Sequence, residues 1–323
     1  MLASMVMIDQ QKRLAKIIDE TASRYSHNPL LLSGGLDSSI LATIIKPDLT
    51  VVISFGNNSQ DLHHSKMVAQ NYSKSHIERI IDFAEFNMLI PKVIKILKTF
   101  DPMEVRNSTP LFAGMIEVKK KGYLEVVTGD GADELFAGYN YLGRYYSQPQ
   151  KLQEILHELW NYMHFSCKDI ANALGMEVHT PYVEEPLISF ARRLDVKQKV
   201  REESGTTWGK YILRKTFEDK LGALVWRSKM ALEHGSEVNK VTKFIEDTMS
   251  DQQFKSGKKG ASSECVFIQT KEQLYYYRIY RSFFPPPVQE GCSAQRCSHC
   301  SACLREPKRY CNTCGAFPLT PRT

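Results

Sequence analysis

No stretch of this 323-residue chain approaches the run of about 18 apolar residues that a membrane-spanning helix needs. The apolar start, residues 1–8, is short, lacks a preceding basic segment and continues into a charged stretch. This pattern argues against a secretory signal peptide. We therefore expect a cytoplasmic protein that has no membrane partner.

A strong charge of one sign is also lacking, because 42 Lys and Arg against 36 Asp and Glu give a net charge of +6. Such a balance permits a nucleic-acid partner without requiring one, since ATP-binding enzymes also collect basic side chains. The hydrophobic content of 42% is ordinary for a globular protein. The length allows one large domain or two smaller ones.

Cysteine is scarce over most of the chain, where only Cys167 and Cys265 occur, but six cysteines lie between Cys292 and Cys314. In a cytosolic protein such clustering indicates metal binding rather than disulfides. Two Cys-x2-Cys pairs around one ion predict a zinc ribbon with four thiolate ligands. The candidate ligands are Cys297, Cys300, Cys303, Cys311 and Cys314.

The spacing of these cysteines leaves the ligand set open. Cys311 and Cys314 form one pair, whereas the second pair is either Cys297 with Cys300 or Cys300 with Cys303. The run from Cys292 to Cys303 is also compatible with an iron–sulfur cluster. The sequence thus predicts a metal module and leaves Zn²⁺ and iron–sulfur as alternatives.

Short apolar segments alternate with amphipathic ones in the first half of the chain. The pattern predicts strands at residues 30–32, 50–55, 76–83 and 123–128, with helices between them. This alternation predicts an α/β fold in which helices flank a parallel sheet. Beyond residue 148 the pattern is helical, except that residues 252–264, rich in Lys, Gly and Ser, predict a surface loop or link.

A first candidate site follows the strand predicted at residues 30–32. The string 33–39, Ser-Gly-Gly-Leu-Asp-Ser-Ser, turns the chain into a helix. Its glycines let backbone N–H groups approach an anion closely, and the start of the helix adds unpaired amides and hydroxyls. Pyrophosphate is the expected ligand, although the Gly-Lys-Ser/Thr ending of the Walker type is absent.

A second candidate site follows the strand predicted at residues 123–128. The string that begins at Thr128 carries three carboxylates, those of Asp130, Asp133 and Glu134. Clustered carboxylates repel one another unless a cation lies between them. An Mg²⁺ ion that bridges triphosphate oxygens would relieve this repulsion and neutralise charge on the leaving pyrophosphate.

Both strings resemble motifs of the PP-loop ATP pyrophosphatases, in the form of the sequence that asparagine synthetases carry. Those enzymes carry Ser-Gly-Glu-Gly-x-Asp-Glu-Leu-Phe-x-Gly-Tyr at the second site. Residues 210–214 resemble the family's Lys-x-Ile-Leu-Arg, and residues 275–285 resemble its closing helix. The resemblance covers residues 1–287 and extends to the synthetase domain that asparagine synthetases share with β-lactam synthetases.

This resemblance implies a PP-loop fold of the adenine-nucleotide α-hydrolase type. It also implies that ATP is split between its α and β phosphates, so that AMP is transferred to a carboxylate or amide oxygen. Attack by ammonia or an amine then releases AMP. The expected enzyme is an AMP-forming amidoligase that uses ATP and Mg²⁺.

Site residues follow from the same resemblance. Asp37 and Asp133 are implied as magnesium ligands, and Lys210 as the cation over the α-phosphate. Lys229 is implied in a loop that closes on the phosphates. The residues implied in catalysis are Lys210, Asp130 and Lys229, and those implied in ATP binding are Ser33, Gly34, Gly35, Asp37, Ser38, Ser39, Phe55 and Gly129.

The chain departs from the family pattern on the acceptor side. Asp130 replaces the glutamate that in the family faces the amino-acid substrate and ammonia, and His179 stands where arginine is usual. In addition, residue 2 is Leu, whereas the family's glutaminase domain exposes a cysteine nucleophile there. We therefore expect free ammonia, ammonia from a separate donor protein, or another nucleophile.

The sequence thus predicts an α/β core at residues 1–145, a helical part of the same synthetase domain at 146–287, and a cysteine-rich, zinc-ribbon-like tail at 288–323. The predicted function is an ATP-dependent synthetase of the asparagine synthetase type with a small-molecule acceptor. One alternative is a tRNA-modifying PP-loop enzyme, similar to thiolases, whose tail binds RNA or a partner. Another is a non-catalytic interaction protein that binds ATP.

Overall fold

The computed structural model describes residues 2–57, 59–203, 205–227, 235–304 and 309–319. Internal contacts divide the chain into two compact units. The first comprises Met1–Ile53, Asn57–Arg79 and Gly114–Ala231, and the second comprises Ser54–Gly56, Ile80–Ala113 and Leu232–Thr323. The functional boundaries that we place at residues 145 and 287 stay predictions.

The main sheet has five strands in the order β3-β2-β1-β4-β5. Their bounds are Leu30–Leu31 for β1, Thr50–Ser54 for β2, His76–Ile80 for β3, Glu125–Val127 for β4 and Glu177–His179 for β5. Strand β1 pairs in parallel with both β2 and β4, in a register that sets Leu30 opposite Thr50 and Val127. The strand order therefore reverses at β1, which is where open α/β sheets bind their ligands.

Helices make up most of the remaining described residues. Their bounds are α1 Leu2–Ala22, α2 Leu36–Ile45, α3 Gln60–Tyr72, α4 Phe83–Leu97, α5 Pro102–Lys120, α6 Ala132–Leu135, α7 Pro149–Tyr162, α8 Ser166–Leu174, α9 Glu185–Arg193, α10 Val196–Lys199, α11 Tyr211–Leu221, α12 Lys240–Thr248, α13 Asp251–Ser263 and α14 Lys271–Arg281. Within the described part of the chain, no helix is both long enough and apolar enough to cross a membrane.

The core of the first unit explains why β1 is an uninterrupted leucine run. Leu30 and Leu32 are fully buried in one hydrophobic cluster together with Leu14 and Ile18 of α1 and Ile40 of α2. A strand covered by helices on both faces needs apolar residues at successive positions. The expected α/β fold with a parallel sheet flanked by helices is confirmed, as are the four predicted strands.

The segment that we expected to be a loop at residues 252–264 is instead helix α13. Ser250 accepts a hydrogen bond from the N–H of Gln253, and the Gln253 side chain bonds back to the N–H of Ser250. This capping box fixes the start of the helix. Gly257 also has a packing role, since a Cβ there would lie 2.5 Å from Cδ2 of Leu274. Tertiary packing therefore overrides the low helix propensity of glycine.

The structure also contains three short strands that the sequence pattern did not reveal. Strand β5 lies at the edge of the main sheet, and β6, Arg201–Glu203, pairs with β7, Thr206–Trp208, as an antiparallel hairpin. Each has only three residues, and the sequence of β6, Arg-Glu-Glu, shows no apolar alternation. Such strands are set by their neighbours rather than by their own pattern.

Candidate nucleotide site and cysteine cluster

The predicted phosphate loop connects β1 to α2. Gly34 has φ +67°, and a Cβ there would lie 2.6 Å from the backbone nitrogen of Ser65, so only glycine fits. Ser33 and Ser38 lie with their hydroxyl oxygens 3.2 Å apart, and the N–H of Gly35 donates to Ser33 Oγ. The loop thus leads directly into the N-terminus of a ten-residue helix, which suits an anion.

Lys210 lies between the two predicted magnesium ligands. Its Nζ is 2.5 Å from Asp37 Oδ2 and 2.7 Å from Asp133 Oδ1. Only 2% of the lysine is exposed, and it immediately precedes α11. The structure therefore brings three predicted site residues from distant parts of the sequence into a single ion-pair cluster.

Gly138 makes this close arrangement possible. A Cβ on Gly138 would lie 1.9 Å from Asp133 Oδ1 and 2.1 Å from Lys210 Cε. Such distances are far inside van der Waals contact, so any larger residue would displace the lysine or the carboxylate. The glycine at position 138, near the end of the second string, is thus explained by packing against the charged cluster.

The residues present fit a magnesium ion. Asp37 and Asp133 each lie in the first turn of a helix, α2 and α6 respectively, and supply the carboxylate oxygens that Mg²⁺ prefers. Asp37 Oδ1 is buried and has no hydrogen-bond partner among the residues that the structure describes. A buried carboxylate oxygen without a partner is costly unless a cation or donor satisfies it.

Asp130 lies in the same acidic group. Its Oδ2 accepts a hydrogen bond of 2.7 Å from Thr128, and it also hydrogen-bonds to the buried thiol of Cys167. Burial raises the pKa of Asp130, and the charges of Asp133 and Asp37 raise it further. Cys167 is a contact that sequence reasoning missed, because no pattern linked it to the second string.

A cleft of roughly 230 Å³ opens beside this cluster. Gly138 and Tyr139 line one part of it, and Thr206, Thr207 and Trp208 of the hairpin line another. The Tyr139 hydroxyl donates to Glu134 Oε1 at 2.6 Å, and burial raises the pKa of both groups. The hairpin gave no recognisable signal in the sequence, so this wall of the cleft is known only from the structure.

Arg214 also lines the cleft. Its guanidinium donates to the carbonyl oxygens of Gly209, Val225 and Arg227, and it lies 4.9 Å from the ring centre of Trp208. Burial lowers the pKa of Arg214 to about 10. Arg214 therefore ties the residues before and after α11 together, which positions Lys210.

Arg227 binds the phosphate loop. Its Nη1 donates to the carbonyl oxygen of Gly34 at 3.0 Å, and its Nη2 lies 3.2 Å from Asp61 Oδ1. The predicted site residue Lys229, two positions further on, lies outside the described residues. Its role on the phosphates stays a prediction.

Phe55 belongs to the second unit. It is buried, and its ring packs edge-on against Phe86 and Phe244. Its N–H donates to the carbonyl oxygen of Ser236 at 2.7 Å. These contacts fix the end of β2, and adenine binding by Phe55 stays a prediction.

His179, the second departure from the family pattern, is engaged with neighbouring side chains. Its ring stacks on Tyr25 with 4.2 Å between centroids, and its Nε2 lies 3.0 Å from Glu125 Oε2. The hydrogen bond from His179 lowers the pKa of Glu125. His179 therefore ties the edge strand β5 to β4 and to the segment after α1.

The tail brings four cysteine sulfurs together, those of Cys297, Cys300, Cys311 and Cys314. All four are buried, and their Sγ atoms lie within 4.8 Å of one another. Cys303, which we considered as a ligand, instead forms a disulfide with Cys292 and stands outside this group. The structure therefore selects Cys297 with Cys300 as the second pair, because Cys303 faces Cys292 across the turn.

The sulfur separations have the size expected for a tetrahedral site that holds a single ion. Cys297 and Cys314 are 3.8 Å apart, and Cys300 and Cys311 are 3.7 Å apart. A tetrahedral Zn(Cys)4 site with Zn–S bonds of about 2.3 Å has sulfurs about 3.8 Å apart. These distances suit one ion rather than a larger cluster.

Comparison with known proteins agrees with the geometry. The sequence profile of the family described as asparagine synthase matches residues 29–164 and 143–296. A probable glutamine-hydrolyzing asparagine synthetase of Dictyostelium discoideum is 28% identical over 293 residues, which cover 79% of this chain and 51% of the relative. Asparagine synthetase B of Escherichia coli K12, also glutamine-hydrolyzing, is 27% identical over 288 residues, covering 81% of this chain and 51% of the relative. The chain thus spans about half the length of these curated relatives.

Proposed function

The chain belongs to the asparagine synthase family, and on this premise we propose that it is an ATP-dependent, AMP-forming synthetase. A carboxylate or amide oxygen of a small-molecule acceptor attacks the α-phosphorus of ATP, and pyrophosphate leaves. Ammonia or an amine then attacks the adenylated carbon, and AMP leaves. The observation that carries this proposal is the placement of Lys210 between Asp37 and Asp133 beside the phosphate loop.

The phosphate loop would bind the departing pyrophosphate. Backbone N–H groups and the positive end of the α2 dipole favour an anion at this point. We assign this contact to Ser33, Gly34, Gly35, Ser38, Ser39 and Gly129. Asp37 and Asp133 would hold Mg²⁺, which supplies positive charge that neutralises the leaving group.

Lys210 provides the cation for the α-phosphate. Negative charge builds up there as the bond to pyrophosphate breaks, and a fixed ammonium in a water-poor site stabilises that charge. Because Lys210 is almost fully buried and already held by two carboxylates, its position is set before ATP binds. The role predicted for Lys229 on the phosphates would add a second cation.

Asp130 is proposed to face the acceptor and the incoming nucleophile. Its side chain is one methylene shorter than the glutamate of the family pattern, and Thr128 and Cys167 hold it. This shorter carboxylate leaves more room on the acceptor side. We therefore leave the acceptor as a small carboxylate or amide compound and take aspartate as the first candidate to test.

The proposal also covers the metal of the cysteine group, the source of the nucleophile and the cellular location. Sulfur separations of 3.7 and 3.8 Å favour Zn²⁺ over an iron–sulfur cluster in the four-cysteine group. Ammonia would come from solution or from a separate donor protein in the cytoplasm. The relatives are named as glutamine-hydrolyzing enzymes, so glutamine belongs among the donors to be tested.

One assay separates this proposal from its alternatives. Pyrophosphate and AMP are measured with ATP and Mg²⁺ plus aspartate, and either ammonium or glutamine serves as donor. Parallel reactions contain bulk tRNA instead. We expect equimolar pyrophosphate and AMP with aspartate and ammonium. Stimulation by tRNA alone would favour the tRNA-modifying class, and nucleotide binding without turnover in every reaction would favour the non-catalytic interaction protein.

A further inference from the structure

The four-cysteine group is built from two turns with the same backbone design. In the first turn, residues 297–302, the N–H of Ser301 donates to the Cys297 oxygen and the N–H of Cys297 donates to the Ala302 oxygen. In the second turn, residues 311–316, Gly315 and Ala316 make the same two bonds with Cys311. Ser301 and Gly315 have φ of 62° and 78°, so both turns use a left-handed residue directly after the second cysteine.

The second turn is bound to the corner between α4 and α5. The N–H of Phe100 donates to the Thr313 oxygen at 2.8 Å, and the Thr99 hydroxyl donates to the Asn312 oxygen at 2.7 Å. The hydroxyl of Tyr310 donates to the buried carboxylate of Asp101. Asp101 also caps α5, since its Oδ1 accepts from the N–H of Met103. Hydrogen bonds therefore connect the second turn to the start of α5.

The first turn is bound to the segment that joins α13 to α14. The N–H of Phe267 donates to the His299 oxygen at 2.7 Å, and the Ser301 hydroxyl donates to the Cys265 oxygen. From α14, Gln273 reaches the Cys314 oxygen of the second turn at 2.9 Å. All these contacts lie within the second unit, so the two turns join separate parts of that unit.

We propose that one Zn²⁺, bound by Cys297, Cys300, Cys311 and Cys314, is a clamp that fixes the α4–α5 corner to the start of α14. Sulfur ligands fill all four positions of the tetrahedron, so the site has no open position for catalysis and is structural. Thiols are poor hydrogen-bond partners, so the sulfur contacts across the two turns are weak without an ion. Four thiolates around one Zn²⁺ would replace them with metal–sulfur bonds that hold the two turns together. The clamp does not depend on the proposed synthetase reaction.

The test uses the full chain with metal content as the first measurement. We expect one zinc per chain by elemental analysis, and cobalt substitution should give the intense charge-transfer absorption of a four-thiolate site. Cys300→Ser and Cys311→Ser should lose the metal, whereas Cys265→Ser, an exposed cysteine outside the group, should keep it. Wild-type protein that binds no zinc, or iron in place of zinc, would overturn the proposal.

Hydrogen exchange tests the clamp itself. Removal of zinc from the wild-type chain with a chelator should speed exchange at residues 99–105 and 271–277 by about tenfold or more. The tyrosine hydroxyl provides a second probe, because Tyr310→Phe should speed exchange at 99–105 while zinc content stays unchanged. Equal exchange with and without zinc would show that the ion does not join these segments. No ATP is present in these measurements, so their outcome is independent of the synthetase assay.

Discussion

The ammonium of Lys210 lies 2.5 Å from Oδ2 of Asp37, although 173 residues separate the two in sequence. The sheet order explains the meeting, because β1 and β4 are neighbours and the strings that follow them carry Asp37 and Asp133. Helix α11 then places the lysine between the two acids. One ammonium and two carboxylates leave this cluster with a net charge of −1. The predictions for Lys210 and Asp37 follow from that negative charge.

Substitution of Lys210 tests its role in the chemical step. Lys210→Met should lower AMP formation by roughly 100- to 1,000-fold, because the charge that develops on the α-phosphate loses its fixed partner. It should also destabilise the protein by about 3 kcal/mol, since two carboxylates are left without their cation. Lys215→Met, in the helix that follows Lys210 and at a partly exposed position where it pairs with Glu218, is the control. Activity within threefold of wild type would contradict the assignment.

Asp37 should control the magnesium requirement. Asp37→Asn removes a charge from the pair that would hold Mg²⁺, so AMP formation should fall to background at millimolar Mg²⁺. The measurement is a magnesium titration of pyrophosphate release, with exposed Asp219→Asn as the control. An unchanged magnesium dependence in the Asp37 variant would place the metal elsewhere.

Gly138 offers a steric test of the cluster. Gly138→Ala should displace Lys210 and Asp133, because the new Cβ would lie 1.9 Å from Asp133 Oδ1. We expect a loss of thermal stability together with at least tenfold slower AMP formation. Gly260→Ala, in a helix where a Cβ meets nothing within 4 Å, should instead stabilise the protein by about 0.5–1 kcal/mol. Similar effects of the two substitutions would argue against close packing at Gly138.

Restoration of the family glutamate tests the acceptor side. Asp130→Glu would fill the room that the shorter carboxylate leaves on the acceptor side, so the KM for the acceptor should rise while the KM for ATP changes less than twofold. The measurement is steady-state pyrophosphate release at varied acceptor and at varied ATP. A change in the KM for ATP alone would indicate that Asp130 contacts the nucleotide rather than the acceptor.

Lys199 predicts a pH dependence of stability. Burial lowers the pKa of Lys199 from 10.5 to about 8. The unfolded chain therefore holds this proton more tightly, so the unfavourable contribution is full below pH 8 and disappears as the pH rises to about 10.5. Lys199→Met should accordingly stabilise the protein at pH 7 by up to about 3 kcal/mol, and the gain should shrink at pH 10.

Urea unfolding at the two pH values checks this prediction. Lys197→Met, at an exposed position of the same helix, is the matched control and should change stability by less than about 0.5 kcal/mol at either pH. A gain for the Lys199 variant that is equal at pH 7 and pH 10 would show that lost packing or lost entropy, rather than the buried charge, causes the effect.

The parts of the site that were predictable from sequence are those formed by residues adjacent in the chain. The leucine run and glycines around Ser33 predict a strand, a turn and a helix start, and the structure confirms each of them. The acidic string after β4 was identified in the same way. Lys210 could be placed only through the family resemblance, because an isolated lysine before a helix carries no local pattern.

The remaining features depend on contacts that sequence spacing does not encode. Cys300 is three positions from a cysteine on either side, so spacing makes Cys297 and Cys303 equivalent partners, and only the backbone, which places Cys303 against Cys292, distinguishes them. Helix α13 was predicted as a loop because its sequence is rich in glycine and lysine. Capping and packing nevertheless hold the segment helical. The hairpin beside the cleft is too short to show a period.

The disulfide between Cys292 and Cys303 would strengthen the proposed binding of metal by the tail. Its closed loop contains Cys297 and Cys300, so the crosslink limits the conformations that these two ligands can explore before an ion arrives. A ligand pair held in advance loses less entropy on chelation, and its affinity for metal rises accordingly. Cys303 would therefore favour retention of the proposed zinc ion by restricting the chain, although its sulfur is not among the four ligands.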